Sequence, residues 1–297
     1  MTSNPIFKGA ATALITPFTN DGFVDYDAFG KIIDWQIESG IAGLVIAGTS
    51  GEGSTLSDEE HREVLKFAAE RAGGKCAMIA GTGSNDTAYA IDLTKYACTL
   101  NYDAMLVVTP YYNKATQNGL IKMYETIADA SCKPLILYNV PSRTGINIEP
   151  VTYLALSEHP NIRGIKEANG NISKIVETAA LVGDKLDIYS GNDDQIVPLL
   201  SMGGSGVISV LSNIMPKETQ EICELFFNGN VAASAGLQMK YLPLINALFS
   251  EVNPIPVKAA MARMGWCENT VRLPLTVMED MHAEKLYALM NGEGLLK

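Results

Sequence analysis

Histidine and cysteine are scarce in this chain, and neither is arranged for metal or disulfide chemistry. His61, His159 and His282 are the three histidines, no two of them at ligand spacing, so a histidine-based metal centre is not expected. The five cysteines, Cys76, Cys98, Cys132, Cys223 and Cys267, are scattered, odd in number and never in a C-x-x-C pair. That excludes a disulfide framework and a zinc knuckle and leaves buried free thiols. Positive charge is also short: 22 Lys and Arg stand against 33 Asp and Glu, for a net charge of −11. Such a surface repels nucleic-acid phosphates and anionic lipid head groups, so neither is an expected partner. An anionic small molecule is still admissible where a few local donors reverse the field. No apolar run approaches the roughly 18 residues that cross a bilayer, and Met1-Thr2-Ser3-Asn4-Pro5 has no basic segment leading into an apolar one. The reading is therefore a cytoplasmic protein without a secretory signal.

What the chain does have is short apolar runs at regular intervals. They are Ala11–Ile15, Gly43–Ala47, Ala77–Ala80, Ala104–Val108, Pro134–Tyr138, Ile162–Ile165, Leu186–Tyr189 and Gly206–Val210. Each is too short for a helix, and near-continuous apolar character suits strands buried on both faces. Between them lie segments of helical period, such as Phe29, Ile32, Ile33 and Ile37, or Val64, Leu65, Ala68 and Ala69. Ser57-x-x-Glu60 reads as a capping box, with Gly73-Gly74 ending the helix that follows. The repeat, roughly 20 to 35 residues, is the size of one βα unit. Eight units closing on themselves predict an α/β fold of the (β/α)8 TIM-barrel type; a doubly wound open sheet is the alternative. After Asn213 the strand pattern stops, and from Lys217 the chain reads as helices interrupted by Gly229, Pro243, Pro254/Pro256 and Pro274. The expected division is a catalytic barrel over residues 1–229 and a C-terminal helical region over 230–297. Nothing in that tail points to chemistry, only to packing.

A barrel of this kind places its active site at the C-terminal ends of the strands, so the residues after each run carry the functional information. Lys166 follows Gly164-Ile165 inside an apolar run and is expected to project into the barrel. Burial disfavours an ammonium, and the neutral amine is the form that attacks a carbonyl to make an imine. The other reading is a structural lysine paired with Glu167 or Asp193. Gly48-Thr49-Ser50-Gly51-Glu52-Gly53-Ser54-Thr55 resembles a P-loop but has Ser54 where the phosphate-reaching lysine belongs. It is either a plain strand-to-helix turn or a cradle of hydroxyl and N–H groups for a carboxylate. Arg143, after the fifth run, is either solvated or able to grip a carboxylate with two bonds. Tyr111, Tyr112 and Tyr138 are aromatics of core or interface type, with Tyr138 also placed to move protons near Lys166. Gly203-Gly204-Ser205-Gly206 precedes its strand, at the wrong end of the barrel, and reads as a turn.

Taken together, Gly48-Thr49-Ser50-Gly51-Glu52, Tyr138-Asn139-Val140-Pro141-Ser142-Arg143-Thr144-Gly145 and Gly164-Ile165-Lys166-Glu167-Ala168 resemble the dihydrodipicolinate synthase/N-acetylneuraminate lyase family. The likeness runs from Gly9–Phe18 to the helical tail. It implies that Lys166 condenses with pyruvate and that the resulting enamine attacks L-aspartate 4-semialdehyde, in lysine and diaminopimelate biosynthesis, with no cofactor and no metal. It implies Tyr138, Thr49 and Tyr112 as a hydroxyl relay, Tyr112 acting in a neighbour's site. It further implies Thr49, Ser50, Gly191 and Ile208 at the pyruvate end, Arg143 for the aldehyde's carboxylate, and a homotetramer built as a dimer of dimers. Ser50 stands where the family more often has threonine, which keeps the hydroxyl. His61, Asn85 and Tyr111 match a lysine-feedback pocket, whereas Gly53, Ser54, Asp58 and Tyr89 depart from it, so feedback stays open.

Two other functions fit the same sequence. A lyase of this family acting on N-acetylneuraminate or a keto-deoxy sugar acid would share the imine, but a sugar-type aldehyde calls for neutral groups where Arg143 stands. A catalytically silent keto-acid-binding barrel would not need Lys166, Tyr138, Thr49 and Tyr112 together.

Overall fold

The eight apolar runs form eight short strands in a computed structural model that describes residues 4–296; the leader reading at Met1–Ser3 lies outside these residues. The strands are β1 Gly9–Ala13, β2 Gly43–Ile46, β3 Ala77–Gly81, β4 Ala104–Val108, β5 Leu135–Asn139, β6 Ile162–Glu167, β7 Asp187–Ser190 and β8 Gly206–Ser209. All neighbours pair in parallel, and β8 closes on β1 through Gly9↔Gly206 to Thr12↔Ser209. Closure makes this a (β/α)8 barrel and removes the open-sheet alternative. The first strand starts and ends two residues earlier than its apolar run, because Ile15 gives its N–H to Asn213 Oδ1 at 3.1 Å instead of continuing the ladder.

The helices are α1 Tyr26–Glu38, α2 Asp58–Ala72, α3 Thr87–Cys98, α4 Gln117–Ala130, α5 Pro141–Thr144, α6 Pro150–Leu156, α7 Ile172–Val182, α8 Ile196–Ser201, α9 Pro216–Phe227, α10 Val231–Ala247, α11 Ile255–Arg263 and α12 Asp280–Gly292. Their ends follow local chemistry. At α2 the Ser57 hydroxyl accepts from the Glu60 N–H, the Glu60 carboxylate accepts from the Ser57 N–H, and Gly73 closes the far end in a left-handed conformation. Gly229 separates α9 from α10 as expected, but Pro243 does not interrupt: α10 runs through it. The carbonyl that Pro243 leaves without its helical donor belongs to Met239, which is 66% exposed, so water can serve it.

Buried side chains fall into two layers. Alternate residues of the strands, among them Ala11, Val45, Ile79, Leu106, Ile136, Tyr138 and Ile208, fill the barrel, while their neighbours such as Leu44, Ile46, Leu137 and Ile165 pack outward beneath the helices. Phe7, just before β1, stacks on Tyr189 with ring centroids 4.1 Å apart. In the C-terminal region α10 lies along α9 and α12, and α11 along α12. Among the described residues no helix is long and apolar enough to cross a membrane.

Candidate active site

The C-terminal ends of the strands open into a cavity of about 670 Å³. Thr49, Tyr138 and Arg143 line it, and His61 and Tyr111 line the same cavity further along. Lys166, Ser50, Gly191, Ile208, Asn85 and Tyr112 are not on its wall.

Lys166 lies behind that wall, against the ring of Tyr138. Period two turns Ile165 outward and Lys166 inward, and the register sets Lys166 opposite Tyr138 on one side and Tyr189 on the other. The side chain is 5% exposed, with Nζ 4.2 Å from the centroid of the Tyr138 ring that lines the cavity. Neither carboxylate named as a structural partner pairs with it. Glu167 points the other way, to Asn139, Tyr153 and the Asn169 N–H. Asp193 spends Oδ2 on the N–H groups of Val210 and Leu211 at 3.0 and 2.9 Å, and its Oδ1 has no hydrogen-bond partner among the described residues. Burial pushes the Asp193 carboxyl up, while the Ser209 hydroxyl, those N–H groups and the charge of Lys166 oppose the rise.

The β2–α2 loop is held in an unusual shape. Ala47 and Glu52 adopt positive φ of 55° and 51°, and a Cβ on Gly53 would stand 2.3 Å from the Ala47 carbonyl oxygen. Non-glycine residues in this region carry strain that the surrounding structure must offset, a condition common at functional sites. The anchor is Glu52, whose Oε1 meets Lys258 Nζ at 2.6 Å and whose Oε2 accepts from the Arg272 N–H at 3.0 Å. Tyr112 and Lys114, in the loop after β4, also have positive φ, 70° and 52°. Tyr112 is 92% exposed and reaches no group of this chain's cavity. Among the described residues no hydrogen bond joins Thr49, Tyr138 and Tyr112, so a relay is not assembled within a single chain.

Arg143 lies on the short α5, entered by Pro141 and closed by the left-handed Gly145. One guanidinium NH2 donates to the Asn253 carbonyl at 2.9 Å. Asn253 also contacts the Ser50 hydroxyl through its side-chain amide at 3.1 Å, so one tail residue ties the loop after β2 to the arginine after β5. Val252, Asn253, Pro254, Pro274 and Leu275 all line the cavity. The expectation that the tail contributes packing alone is therefore corrected: it supplies part of the wall. Gly191 is required by close approach, since a Cβ there would lie 2.7 Å from the Ala168 Cβ, and its N–H donates to the Glu167 carbonyl at 2.7 Å. Ile208 is fully buried in the barrel interior.

His61 is buried with Nε2 2.9 Å from the Gly81 carbonyl, which fixes the hydrogen on that nitrogen, and burial pulls its pKa down. Asn85 donates to the Tyr111 carbonyl at 3.2 Å. Gly53, Ser54, Asp58 and Tyr89, the departures from the feedback pattern, line the same cavity. Glu251, next to the wall residue Val252, comes together with Glu279 and His282 so that their ligand-type atoms lie within 4.8 Å of one another, but His282 Nδ1 is already 2.8 Å from Glu251, a self-satisfied contact.

A buried amine without a carboxylate partner, a phenol ring against it and an arginine on the cavity wall are the kinds of group that imine chemistry on a keto acid would use. Residues 6–292 match the model of the dihydrodipicolinate synthetase family. The 4-hydroxy-tetrahydrodipicolinate synthase of Caldicellulosiruptor saccharolyticus is 54% identical over 291 residues, 98% of each chain. A chloride-inhibited dihydrodipicolinate synthase of Acinetobacter baumannii, solved with pyruvate, is 42% identical at a TM-score of 0.95, covering 97% of this chain and 99% of its own. A synthase variant described as monomeric is 41% identical at a TM-score of 0.96, over 98% of both chains. With its closed barrel, its strand-end lysine and sequence identity over nearly the whole length, the chain belongs to the dihydrodipicolinate synthetase family.

Proposed function

We propose that this enzyme joins pyruvate to L-aspartate 4-semialdehyde and releases 4-hydroxy-tetrahydrodipicolinate, a step toward diaminopimelate and lysine. The observation that carries the reading is Lys166 Nζ, buried and lying against the Tyr138 ring with no carboxylate in ion-pair range among the described residues. The amine attacks the keto carbon of pyruvate, and loss of water leaves an imine. Removal of a methyl proton gives the enamine, whose carbon bonds to the aldehyde carbon while the aldehyde oxygen takes up a proton. The substrate's own amine then attacks the imine carbon and displaces Lys166. Tyr138, whose ring lies against Lys166, passes protons at the imine in this reading, and Thr49 lines the same cavity. Ser50, Gly191 and Ile208 shape the pyruvate end, and Arg143 receives the second carboxylate. The lysine itself serves as the electron sink, so the mechanism calls on no cofactor.

In this reading residues 1–229 carry the chemistry and 230–297 complete the entrance. In the same reading Tyr112, strained and exposed, acts in a neighbour's site within a homotetramer built as a dimer of dimers, and the enzyme works in the cytoplasm. His61, Asn85 and Tyr111 form the candidate lysine-feedback site. The test of the main claim is pyruvate with borohydride followed by intact mass: one reduced pyruvate per chain is expected, and an unmodified mass under conditions that trap a related enzyme would overturn it. Turnover with L-aspartate 4-semialdehyde, and none with N-acetylneuraminate or keto-deoxy sugar acids, separates the synthase from the sugar-acid lyases. Tyr112→Phe should slow turnover without changing the melt; unchanged kinetics would remove it from the relay.

A further inference from the structure

Glu167 follows Lys166 in β6 and is 1% exposed, yet no step above uses it. Alternation along the strand turns it to the outer face, where only donors meet its carboxylate. Asn139 Nδ2 lies 2.9 and 3.2 Å from its two oxygens, the Tyr153 hydroxyl 3.0 Å and the Asn169 N–H 2.9 Å. Asn139 cannot turn over to compensate, because Nδ2 also donates to Asn147 Oδ1 at 2.8 Å and Oδ1 accepts from the Ile148 N–H at 3.1 Å. The register pairs Asn139 with Glu167 and Tyr138 with Lys166. One pair of strand ends thus carries the carboxylate–amide bridge on its outer face and the phenol–amine contact on its inner face.

We propose that Glu167 is a positioning residue that, when ionised, fixes through Asn139 the strand ends that present Tyr138 and Lys166 to the substrate. The inference rests on the imine reading of Lys166. A carboxylate can accept every one of these bonds, whereas a carboxylic acid places a hydrogen where donors stand. Of the groups present, the Tyr153 hydroxyl can reverse its role; the Asn139 amide cannot, so protonation weakens its hold. Burial pushes the Glu167 carboxyl up to about 7 against the pull of its donors, so the change falls near neutral pH. Tyr153 faces it from α6, its own ionisation driven far up by burial, with Asn139 facing from β5 and the Asn169 N–H from the following loop. The Lys166 amine lies across the strand.

The experiment is the rate of the pyruvate adduct trapped with cyanoborohydride, which survives mild acid, between about pH 5 and pH 9 for the native enzyme, Glu167→Gln and Tyr153→Phe, with a melt of each. The native rate should fall on the acid side of about pH 7. Glu167→Gln should flatten that fall and slow the high-pH rate about tenfold, a positional loss. Tyr153→Phe removes one donor to the charged form and should move the fall upward by about one pH unit. A residue that is merely structural would lower both melting temperatures without moving the midpoint. Persistence of the fall in Glu167→Gln, or an unmoved midpoint in Tyr153→Phe, overturns the proposal while leaving the imine reading intact. A native enzyme that gives no adduct at any pH overturns both.

Discussion

Lys166 and Lys258 are both buried, 5% and 0% exposed, and each holds its nitrogen over an aromatic ring, Tyr138 at 4.2 Å and Phe18 at 4.0 Å. They differ in what else stands nearby. Lys258 meets Glu52 at 2.6 Å, and that carboxylate pulls back up an ammonium whose pKa burial pulls down. Lys166 has no carboxylate within ion-pair distance among the described residues, and its ring neighbour opens onto a cavity. Burial alone therefore does not mark a candidate nucleophilic lysine; burial without a carboxylate in bonding contact, and beside a side chain that opens onto a cavity, does. The paired lysine holds the strained loop that carries Thr49 and Ser50, and the unpaired one is the lysine proposed to take the substrate.

The comparison breaks most sharply when each lysine is removed. Lys166→Ala should lose the pyruvate adduct completely while the melt changes little. Lys258→Ala should leave the Glu52 carboxylate buried and uncompensated, at a stability loss of about 3–5 kcal/mol by denaturant titration. The surviving folded fraction should still form the adduct on Lys166. A persistent adduct in the first variant would assign the chemistry to another amine, and a native-like denaturation midpoint in the second would strip the ion pair of its anchoring role.

Arg143 comes next in expected size, because its guanidinium offers charge-assisted bonds to a carboxylate while resting on the Asn253 carbonyl. Arg143→Ala should weaken use of L-aspartate 4-semialdehyde by about 10- to 100-fold in kcat/KM, the value of one or two such bonds. Trapping of pyruvate should change only a few-fold. Equal losses in both steps would mean that the arginine shapes the whole mouth rather than reading one substrate.

The barrel was legible because a strand buried on both faces leaves a short apolar run, and the eight runs recur at the length of a βα unit. Lys166 was legible for the same reason: a charged residue inside such a run is an exception to be explained. Lys258 carries a similar signal, sitting in Ile255-Pro256-Val257-Lys258-Ala259-Ala260-Met261, although nothing else in the tail's sequence points beyond packing. Asn253 was not legible. Its contact with Arg143 is made by a backbone carbonyl 110 residues away, and a carbonyl has no sequence signature. Pro243 is a weak stop signal because a proline inside a helix removes one hydrogen bond and crowds the carbonyl one turn back, which kinks a helix as readily as it breaks one, and α10 runs through it.

The paired half of the comparison sharpens with a smaller effect. If Lys258 and Glu52 matter only to each other and to the loop, neutralising both should restore most of what Lys258→Ala loses. Glu52→Gln keeps an oxygen to accept from the Arg272 N–H, and Lys258→Met keeps the volume over Phe18. The double variant should lie within about 1 kcal/mol of the native enzyme, since a buried pair replaced as a pair is often near neutral. A double variant as unstable as Lys258→Ala would show that the charges serve something besides each other.

The smallest effect lies at the rim of this anchor, where Arg272 donates two guanidinium bonds to Glu60 at 2.6 and 2.8 Å while its backbone N–H holds Glu52. The arginine pulls the Glu60 carboxyl from 4.5 down to about 2. A carboxyl depressed on folding binds fewer protons folded than unfolded, so its contribution is complete above about pH 4.5 and is lost as pH falls toward about 2. Glu60 is accessible enough for solvent to screen much of this, which makes the expected change in melting temperature modest. Arg272→Ala should lower the melt most at neutral pH and progressively less through that acid window. Curves for the native enzyme and the variant that stay parallel from neutral pH to the bottom of the window would show that Arg272 stabilises through its carbonyl contacts to Gly22 and Thr55 rather than through the Glu60 charge.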